Sequence, residues 1–258
     1  MKATVPHIIN LTEVDSTNRY AGTHFPELTT GTLIAAEYQT AGKGRYDRRW
    51  LSPPDQNAYV SFVIKDCPYE LHKASWIGSL ATLDALQREY PDLAPWLKWP
   101  NDIYCGERKI AGILCEGIPG NGKLTGIVIG IGVNINLPPA LIEKIDQPAT
   151  SVLYETGRKH EVQSFVRTLA ECLAARYDAS CRDLLQTYAE WKKRNRIVGR
   201  EVELVPAADG ETVIRGVVSD LGRDGELIFV TSEGTHLYFS GDVRIRRESL
   251  FPPTGQEK

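Results

Sequence analysis

WLKWPNDIYCGERKIAGILCEGIPGNGKLTGIVIGIGVN, residues 96–134, is the stretch whose reading decides the fold class. Apolar runs at 96–99, 103–105, 109–116 and 123–133 alternate with Gly, Pro and Asn punctuation, as central antiparallel strands do. Upstream, 7–14 and 32–39 read as strands. At 58–64, Ala58, Val60, Phe62 and Ile64 alternate with Tyr59, Ser61 and Val63 in a period of two. Leu71, Ala74, Ile77, Ala81 and Ala85 share one side of a helical wheel, so 70–89 is expected to be an amphipathic helix covering a sheet. The fold class is α+β, a mixed and mainly antiparallel sheet covered by helices.

Downstream of Pro138 and Pro139, helical patterning runs through 169–188, and the composition then changes. Short strands are expected at 201–205, 212–219, 227–230 and 236–239, with Asp209-Gly210 and Asp224-Gly225 as turns between them. This predicts two domains, 1–196 and 197–258, the second a small β-barrel.

The 258 residues are 42% hydrophobic and 24% charged, enough to bury a full core. Thirty Lys+Arg against 33 Asp+Glu leave a net charge of −3, which argues against a general nucleic-acid binder, so any cationic site has to be local. The opening MKATVPHIINLTEVDSTN lacks the apolar core of a signal peptide, and no apolar run is long enough for a membrane span, so the expected location is the cytoplasm, away from membranes. Cys67, Cys105, Cys115, Cys172 and Cys181 form no C-x-x-C pair, which favours reduced, mostly buried thiols over a disulfide or zinc framework. No protein metal ligands are expected.

Four clusters carry chemistry. Residues 42–50, GKGRYDRRW, place four cations, two glycines and two aromatics just after a strand. Gly42 and Gly44 let backbone amides approach a ligand, the cations suit phosphate oxygens, and Trp50 is able to stack on a base, although a tryptophan opening a strand is more often core. The spacing is neither that of a P-loop nor that of a Rossmann fingerprint. Lys98-Trp99-Pro100-Asn101-Asp102 is by itself a good turn at a strand end. Gly130-Ile131-Gly132-Val133-Asn134 ends a buried strand with room for close contact and an amide able to bond an adenine edge. Asp15-Ser16-Thr17-Asn18 is a helix N-cap signature.

Together, in this order, the four clusters resemble the biotin protein ligase family. Glu37-Tyr38-Gln39, Ser52-Pro53 and Arg108-Lys109-Ile110-Ala111-Gly112-Ile113-Leu114 belong to the same pattern, which covers roughly residues 10–136. The resemblance implies the class II synthetase-like biotin/lipoate ligase fold, with an SH3-like C-terminal barrel. It also implies an ATP-dependent biotin–[biotin carboxyl carrier protein] ligase: biotin and ATP give biotinyl-5'-AMP, and biotin then passes to a lysine of a carrier protein. Mg²⁺ would be held mainly through the phosphates. Homodimerisation stays open.

By the same resemblance, Ser16, Thr17 and Gln39 bind the ureido head of biotin, with Asn18, Gly42, Lys43, Arg45, Lys98 and Gly112 also on the biotin side. Lys43, Arg45, Arg48, Trp50, Lys98, Asn101 and Asn134 bind ATP and the adenylate, with Trp50 stacked on adenine and Asn134 on its edge. Lys98 and Arg45 are the catalytic candidates, Lys98 as the ammonium touching both biotin carboxyl and phosphate. Two residues depart from the family loop: Lys43 stands for the usual arginine, losing the bidentate fork, and Asp47 for a glycine. The alternatives are a lipoate ligase or an octanoyl transferase of related fold. A ligase that is also a repressor needs a whole helix-turn-helix domain ahead of the Asp-Ser-Thr-Asn motif, and fourteen residues precede Asp15. The expected type is therefore monofunctional, with no nucleic-acid partner.

Overall fold

The computed structural model describes residues 7–46, 48–65, 70–120, 123–207 and 212–245. Cys67, Asp47 and the Asp209-Gly210 turn lie outside the described residues. The chain divides into two compact units, one of residues 1–97 and 101–191, the other of 98–100 and 192–258.

The first unit is built from β1 (Ile8–Val14), α1 (Thr17–Thr23), β2 (Leu33–Gln39), β3 (Ala58–Lys65), α2 (Leu71–Glu89), β4 (Pro95–Lys98), β5 (Asp102–Cys105), β6 (Arg108–Pro119) and β7 (Leu124–Val133). Then come α3 (Pro139–Ile142), α4 (Val152–Thr156), α5 (Val162–Arg182) and α6 (Leu184–Arg194). Seven strands form one sheet in the order β1-β2-β3-β7-β6-β5-β4. β1 runs parallel to β2, and the pairings from β2 through β3, β7 and β6 to β5 are antiparallel. β6 and β7 are central as expected, whereas β4 lies at the edge.

Alternation along β7 separates the two faces of the sheet. Ile127, Ile129, Ile131 and Val133 alternate with Val128, Gly130 and Gly132. On the isoleucine face α2 lies close: a Cβ on its Gly78 would fall 2.7 Å from Ile129 and 3.2 Å from Ile113. α5 backs α2 and reaches β3 through Phe62 and Tyr177, whose rings lie 6.2 Å apart. Across the sheet, Ala21, Phe25 and Leu28 pack on Ile34, Val63 and Val128. β3 is therefore buried on both faces, not on one as its alternation suggested. α2 keeps Ala74, Ile77, Ala81 and Ala85 buried, but Leu71 at its start is exposed. Among the described residues no helix is long and apolar enough to cross a membrane.

The second unit carries β8 (Glu201–Pro206), β9 (Ile214–Leu221), β10 (Leu227–Thr231), β11 (Gly234–Tyr238) and β12 (Gly241–Ile245), a sheet ordered β11-β10-β9-β8-β12 with antiparallel pairings. Val202, Leu204, Val218, Leu221, Leu227, Phe229 and Val243 are its buried residues. The Asp224-Gly225 turn forms, with Gly225 at φ +82° where a side chain would be strained. The same unit takes in Trp99, whose indole N–H donates to Gly225 O at 2.8 Å and whose backbone N–H donates to Asn195 Oδ1 at 3.2 Å.

Of the four described cysteines only Cys105 is buried, Cys115 and Cys172 are half-buried and Cys181 is exposed, so the expectation of mostly buried thiols fails. Burial pushes the Cys105 thiol up to about 12 and Cys172 to about 11, which keeps both protonated and unreactive at neutral pH.

Candidate active site

On the α1 face, the paired strands leave a strip of bare backbone. Register sets Tyr59, Gly132, Gly112 and Asp102 side by side across β3, β7, β6 and β5, and Ser61, Gly130 and Leu114 in the next row. Three glycines in adjoining positions remove the side chains that would cover the sheet, so other groups can lie directly on it. Two do. A Cβ on Gly130 would fall 2.3 Å from Asn18 Oδ1, and one on Gly132 would fall 2.5 Å from the Trp50 indole. Gly130→Ala should therefore lower stability by about 1–3 kcal/mol, the usual effect of overpacking, and a melting temperature equal to that of the native protein would refute this close packing.

At one end of the strip lies a buried polar network. Ser16 is the N-cap of α1, but its side chain makes no capping bond, and Thr17 and Asn18 turn into the fold. Thr17 N–H donates to Gln39 Oε1 at 2.9 Å, and the Thr17 hydroxyl lies 3.2 Å from the same oxygen. Ser61, fully buried in β3, sits 2.8 Å from Thr17 Oγ1 and 2.6 Å from Asn18 Oδ1. The Asn18 amide donates to Leu114 O at 3.2 Å and to Glu116 Oε2 at 2.7 Å. Gln39 Nε2 donates to Ser52 Oγ at 3.1 Å, and Ser52 in turn to Trp50 O. Gly42 has to be glycine here, because a Cβ would lie 2.6 Å from Ser52 Oγ and 2.8 Å from Trp50 O.

Residues 42–46 and 48–50 fold back on one another. Trp50 N–H donates to Gly42 O, Gly44 N–H to Arg48 O, and Lys43 bridges Arg49. The tip residue Tyr46 adopts φ +56°, and its ring takes the Arg45 guanidinium at 4.8 Å. Arg45 also donates to Tyr46 Oη at 2.6 Å and to Asn101 Oδ1 at 3.1 Å. Asn101 is itself fixed on β6, donating its amide to Ile113 O and accepting Ile113 N–H at 2.9 Å. Lys43 and Arg48 are exposed. Arg45 is thus joined to β6 through Asn101 and braced on Tyr46.

At the far end, Lys109 Nζ lies 2.7 Å from Asp102 Oδ1 and 5.4 Å from the Trp50 ring centre, and a Cβ on Gly112 would touch it at 3.2 Å. Both side chains of the pair are largely buried, at 14% and 13% exposure, so this ammonium keeps its field in a poorly screened setting. The Trp50 Nε1 hydrogen is buried without a partner. Asn134, buried at the end of β7, donates its amide to Thr150 O at 3.0 Å, which orients the group. Tyr59 is no base: its hydroxyl donates to Pro53 O, and burial raises its pKa well above the usual phenol value.

The sheet strip thus gathers Thr17, Asn18, Gln39, Gly42, Trp50 and Gly112, with Arg45 and Asn101 joined beside it. Lys98 is the last residue of β4 and is buried. Three residues escaped the sequence reading. Lys109 was seen only as part of a motif. Ser61 could have been flagged as a lone hydroxyl in an otherwise apolar buried strand, since such a group needs partners. Glu116 gave no signal beyond being an acid on a strand.

A model of the Biotin/lipoate A/B protein ligase family matches residues 11–134. The chain is 30% identical over 241 residues to the biotin–[acetyl-CoA-carboxylase] ligase of Paracoccus denitrificans, covering 90% of this chain and 98% of that protein. It is also 30% identical over 236 residues to the bifunctional ligase/repressor BirA of Salmonella typhimurium, covering 90% of this chain and 72% of the relative. Among solved structures, the biotin protein ligase from Aquifex aeolicus in complex with biotin and ATP superposes with a TM-score of 0.78 at 28% identity, over 93% of this chain and 99% of that one.

Proposed function

The chain belongs to the biotin protein ligase family, and from that premise we propose how its own residues carry out ATP-dependent biotinylation of a carrier protein. The observation that carries the reading is the bare strip of Gly112, Gly130 and Gly132, with a network of hydroxyls and amides at one end and the Lys109–Asp102 pair beside Trp50 at the other. A flat, uncharged bicyclic head suits the first end, and a carboxylate meeting a phosphate suits the second. We assign this chemistry to residues 1–196, with 197–258 as the small accessory domain.

In the first step a biotin carboxylate oxygen attacks the α-phosphorus of ATP. A P–O bond forms, the bond to the β-phosphate oxygen breaks, and pyrophosphate leaves. Negative charge crowds the transition state, and fixed cations in a poorly hydrated site stabilise it best. Lys109 meets that description, held by Asp102 against the strip. We therefore add Lys109 to Lys98 in this role, while Arg45, Lys43 and Arg48 complete the cationic surround. Ser16, Thr17 and Gln39 hold the biotin head, Trp50 stacks on adenine, and Asn101 and Asn134 lie on the nucleotide side. A Mg²⁺ ion would be carried in on the phosphates of ATP. When bound there it would neutralise phosphate charge. In the second step the carrier lysine attacks the carbonyl of the anhydride and AMP departs.

Incubation with biotin, ATP and a biotin carboxyl carrier domain, read by mass spectrometry, tests this. One biotinyl adduct on one lysine is expected. Transfer of an octanoyl or lipoyl group instead, with biotin inert, would overturn it. Trp50→Ala should weaken ATP by about 5- to 150-fold, the loss of ~1–3 kcal/mol of base stacking, with a smaller change for biotin. Unchanged ATP affinity in titration calorimetry would return Trp50 to a packing role.

A further inference from the structure

Asn134, just after β7, is held from three sides. Its backbone N–H donates to Ile110 O at 2.9 Å, its carbonyl accepts Val152 N–H from α4 at 3.0 Å, and its side-chain amide donates to Thr150 O at 3.0 Å. A carbonyl only accepts, so the amide nitrogen must lie on that side and one of its two hydrogens is used. The second hydrogen and Oδ1 are left as a donor and an acceptor in fixed order. Turning the amide over would set Oδ1 against Thr150 O, two acceptors with no hydrogen between them.

That order depends on what fixes Thr150, which is fully buried. Residues 148–150 run alongside Lys109: Lys109 N–H donates to Pro148 O and Thr150 N–H to Lys109 O, each at 2.9 Å. One short strap thus joins the backbone of the lysine placed at the phosphates to the side chain of the asparagine placed at the base. Its N–H holds one side of Thr150. The hydroxyl holds the other, donating to Glu155 Oε1 on α4 at 2.5 Å. The same carboxylate oxygen accepts from Arg108 Nη2 at 2.9 Å, and the Arg108 guanidinium lies 4.5 Å from the Tyr154 ring centre. Two neighbours at the start of β6 therefore hold the strap, Arg108 through the acid and Lys109 through its backbone.

We propose that Glu155, steadied by Arg108, is a positioning residue for the nucleotide: by holding the Thr150 hydroxyl it keeps the Thr150 carbonyl on the Asn134 amide, and so keeps the Asn134 donor and acceptor in the order a 6-aminopurine needs. This deepens the functional reading above and rests on it. A 6-aminopurine offers an amino hydrogen beside a ring nitrogen that accepts. A 6-oxopurine carries an oxygen in place of the amino group, and that oxygen would face Asn134 Oδ1. Glu155 acts through Thr150 and not on the nucleotide, because its carboxylate oxygen is engaged by Thr150 and Arg108. Without that acceptor the buried Thr150 hydroxyl has to turn toward another, the carbonyl moves with the residue, and the Asn134 amide is free to turn over.

The test is pyrophosphate release by the full-length protein at saturating biotin, with ATP and then inosine triphosphate varied, and with biotin affinity measured by calorimetry alongside. Native protein should prefer ATP by about tenfold or more in kcat/KM, the usual penalty when a buried hydrogen bond is replaced by opposed lone pairs. Glu155→Ala removes both the acceptor and the Arg108 partner. Thr150→Val removes only the hydroxyl bond and leaves the Arg108–Glu155 pair in place. In both, the preference should fall to about threefold or less through a higher KM for ATP, with biotin affinity as in native protein. Glu155→Gln keeps an oxygen for the Thr150 hydroxyl and should retain most of the preference. If Glu155→Ala does not fold, Thr150→Val decides alone. Bonds that only support α4 would lower stability and slow both nucleotides alike, so an unchanged ratio in these variants overturns the inference while leaving the ligase reading intact. Equal use of the two nucleotides by native protein also overturns it. Native protein that binds no biotin and releases no pyrophosphate from ATP overturns the ligase reading and this inference with it.

Discussion

Lys109→Ala is expected to slow formation of biotinyl-AMP by about 10²- to 10³-fold, the usual effect of removing one preorganised group that meets developing charge. The side chain lies against Gly112 and Trp50 and is steadied by Asp102 at 2.7 Å, so a carboxylate and a phosphate meeting on the glycine strip would both find it. Its removal also leaves Asp102 as a largely buried, uncompensated carboxylate, which adds to the barrier for bringing in two anions. Lys109→Arg keeps the charge but not the shape, and should recover only part of the rate. Pyrophosphate release in single turnover measures the step without interference from later ones. Lys98→Ala is the comparison. A loss at Lys98 alone would leave the charge-stabilising role to Lys98 and make Lys109 a structural partner of Asp102.

A second large effect is expected at Arg45. Arg45→Gly should still consume biotin and ATP but release the reactive anhydride, which then labels exposed lysines of unrelated proteins. Arg45 ties the tip of the folded-back loop, through Asn101, to strand β6 and braces it on Tyr46. Charge-assisted hydrogen bonds are worth about 1.5–3 kcal/mol each, and every 1.4 kcal/mol is tenfold, so losing them should hasten release of the intermediate by about tenfold or more. Streptavidin blotting of a bystander protein, native against Arg45→Gly, reads this out. Equal and negligible labelling by both would deny Arg45 a retaining role. Asp47, the other departure in this loop, lies outside the described residues.

Most strands were legible because their signals are local. The run 96–134 shows its four strands through apolar stretches bounded by Gly, Pro and Asn, and the structure returns each within a few residues. Strand β12 was not read: it is five residues long, with Asp242 and Arg244 interrupting Val243 and Ile245, and resembles a charged turn until it pairs with β8. Burial of β3 on both faces was hidden for a different reason. Alternation records side-chain type, and what covers each face depends on helices far away in the chain.

The site was legible as motifs but not as an arrangement. Gly112 and Gly132 read as two separate glycines, and only the register of β6 on β7 makes them neighbours under one indole. The two lysines show the same limit. Lys98 stands in the more conspicuous motif, while Lys109 is brought to the strip by its Asp102 partner, which alternation along β6 does not announce. Glu116, from β6, meets Asn18 across almost a hundred residues, a pairing no local pattern announces.

Residues 98–100, although Lys98 ends β4, cluster with the C-terminal unit. Trp99, fully buried, has its indole hydrogen bond to Gly225 and its backbone bond to Asn195, so part of what completes the small unit is encoded in the middle of the large one. The tail is for that reason not a cassette. A gene cut after codon 196 would yield a long fragment with a stranded tryptophan and a short one with a hole, and recombination that exchanged the tail between relatives would succeed only where loop 98–100 travelled with it.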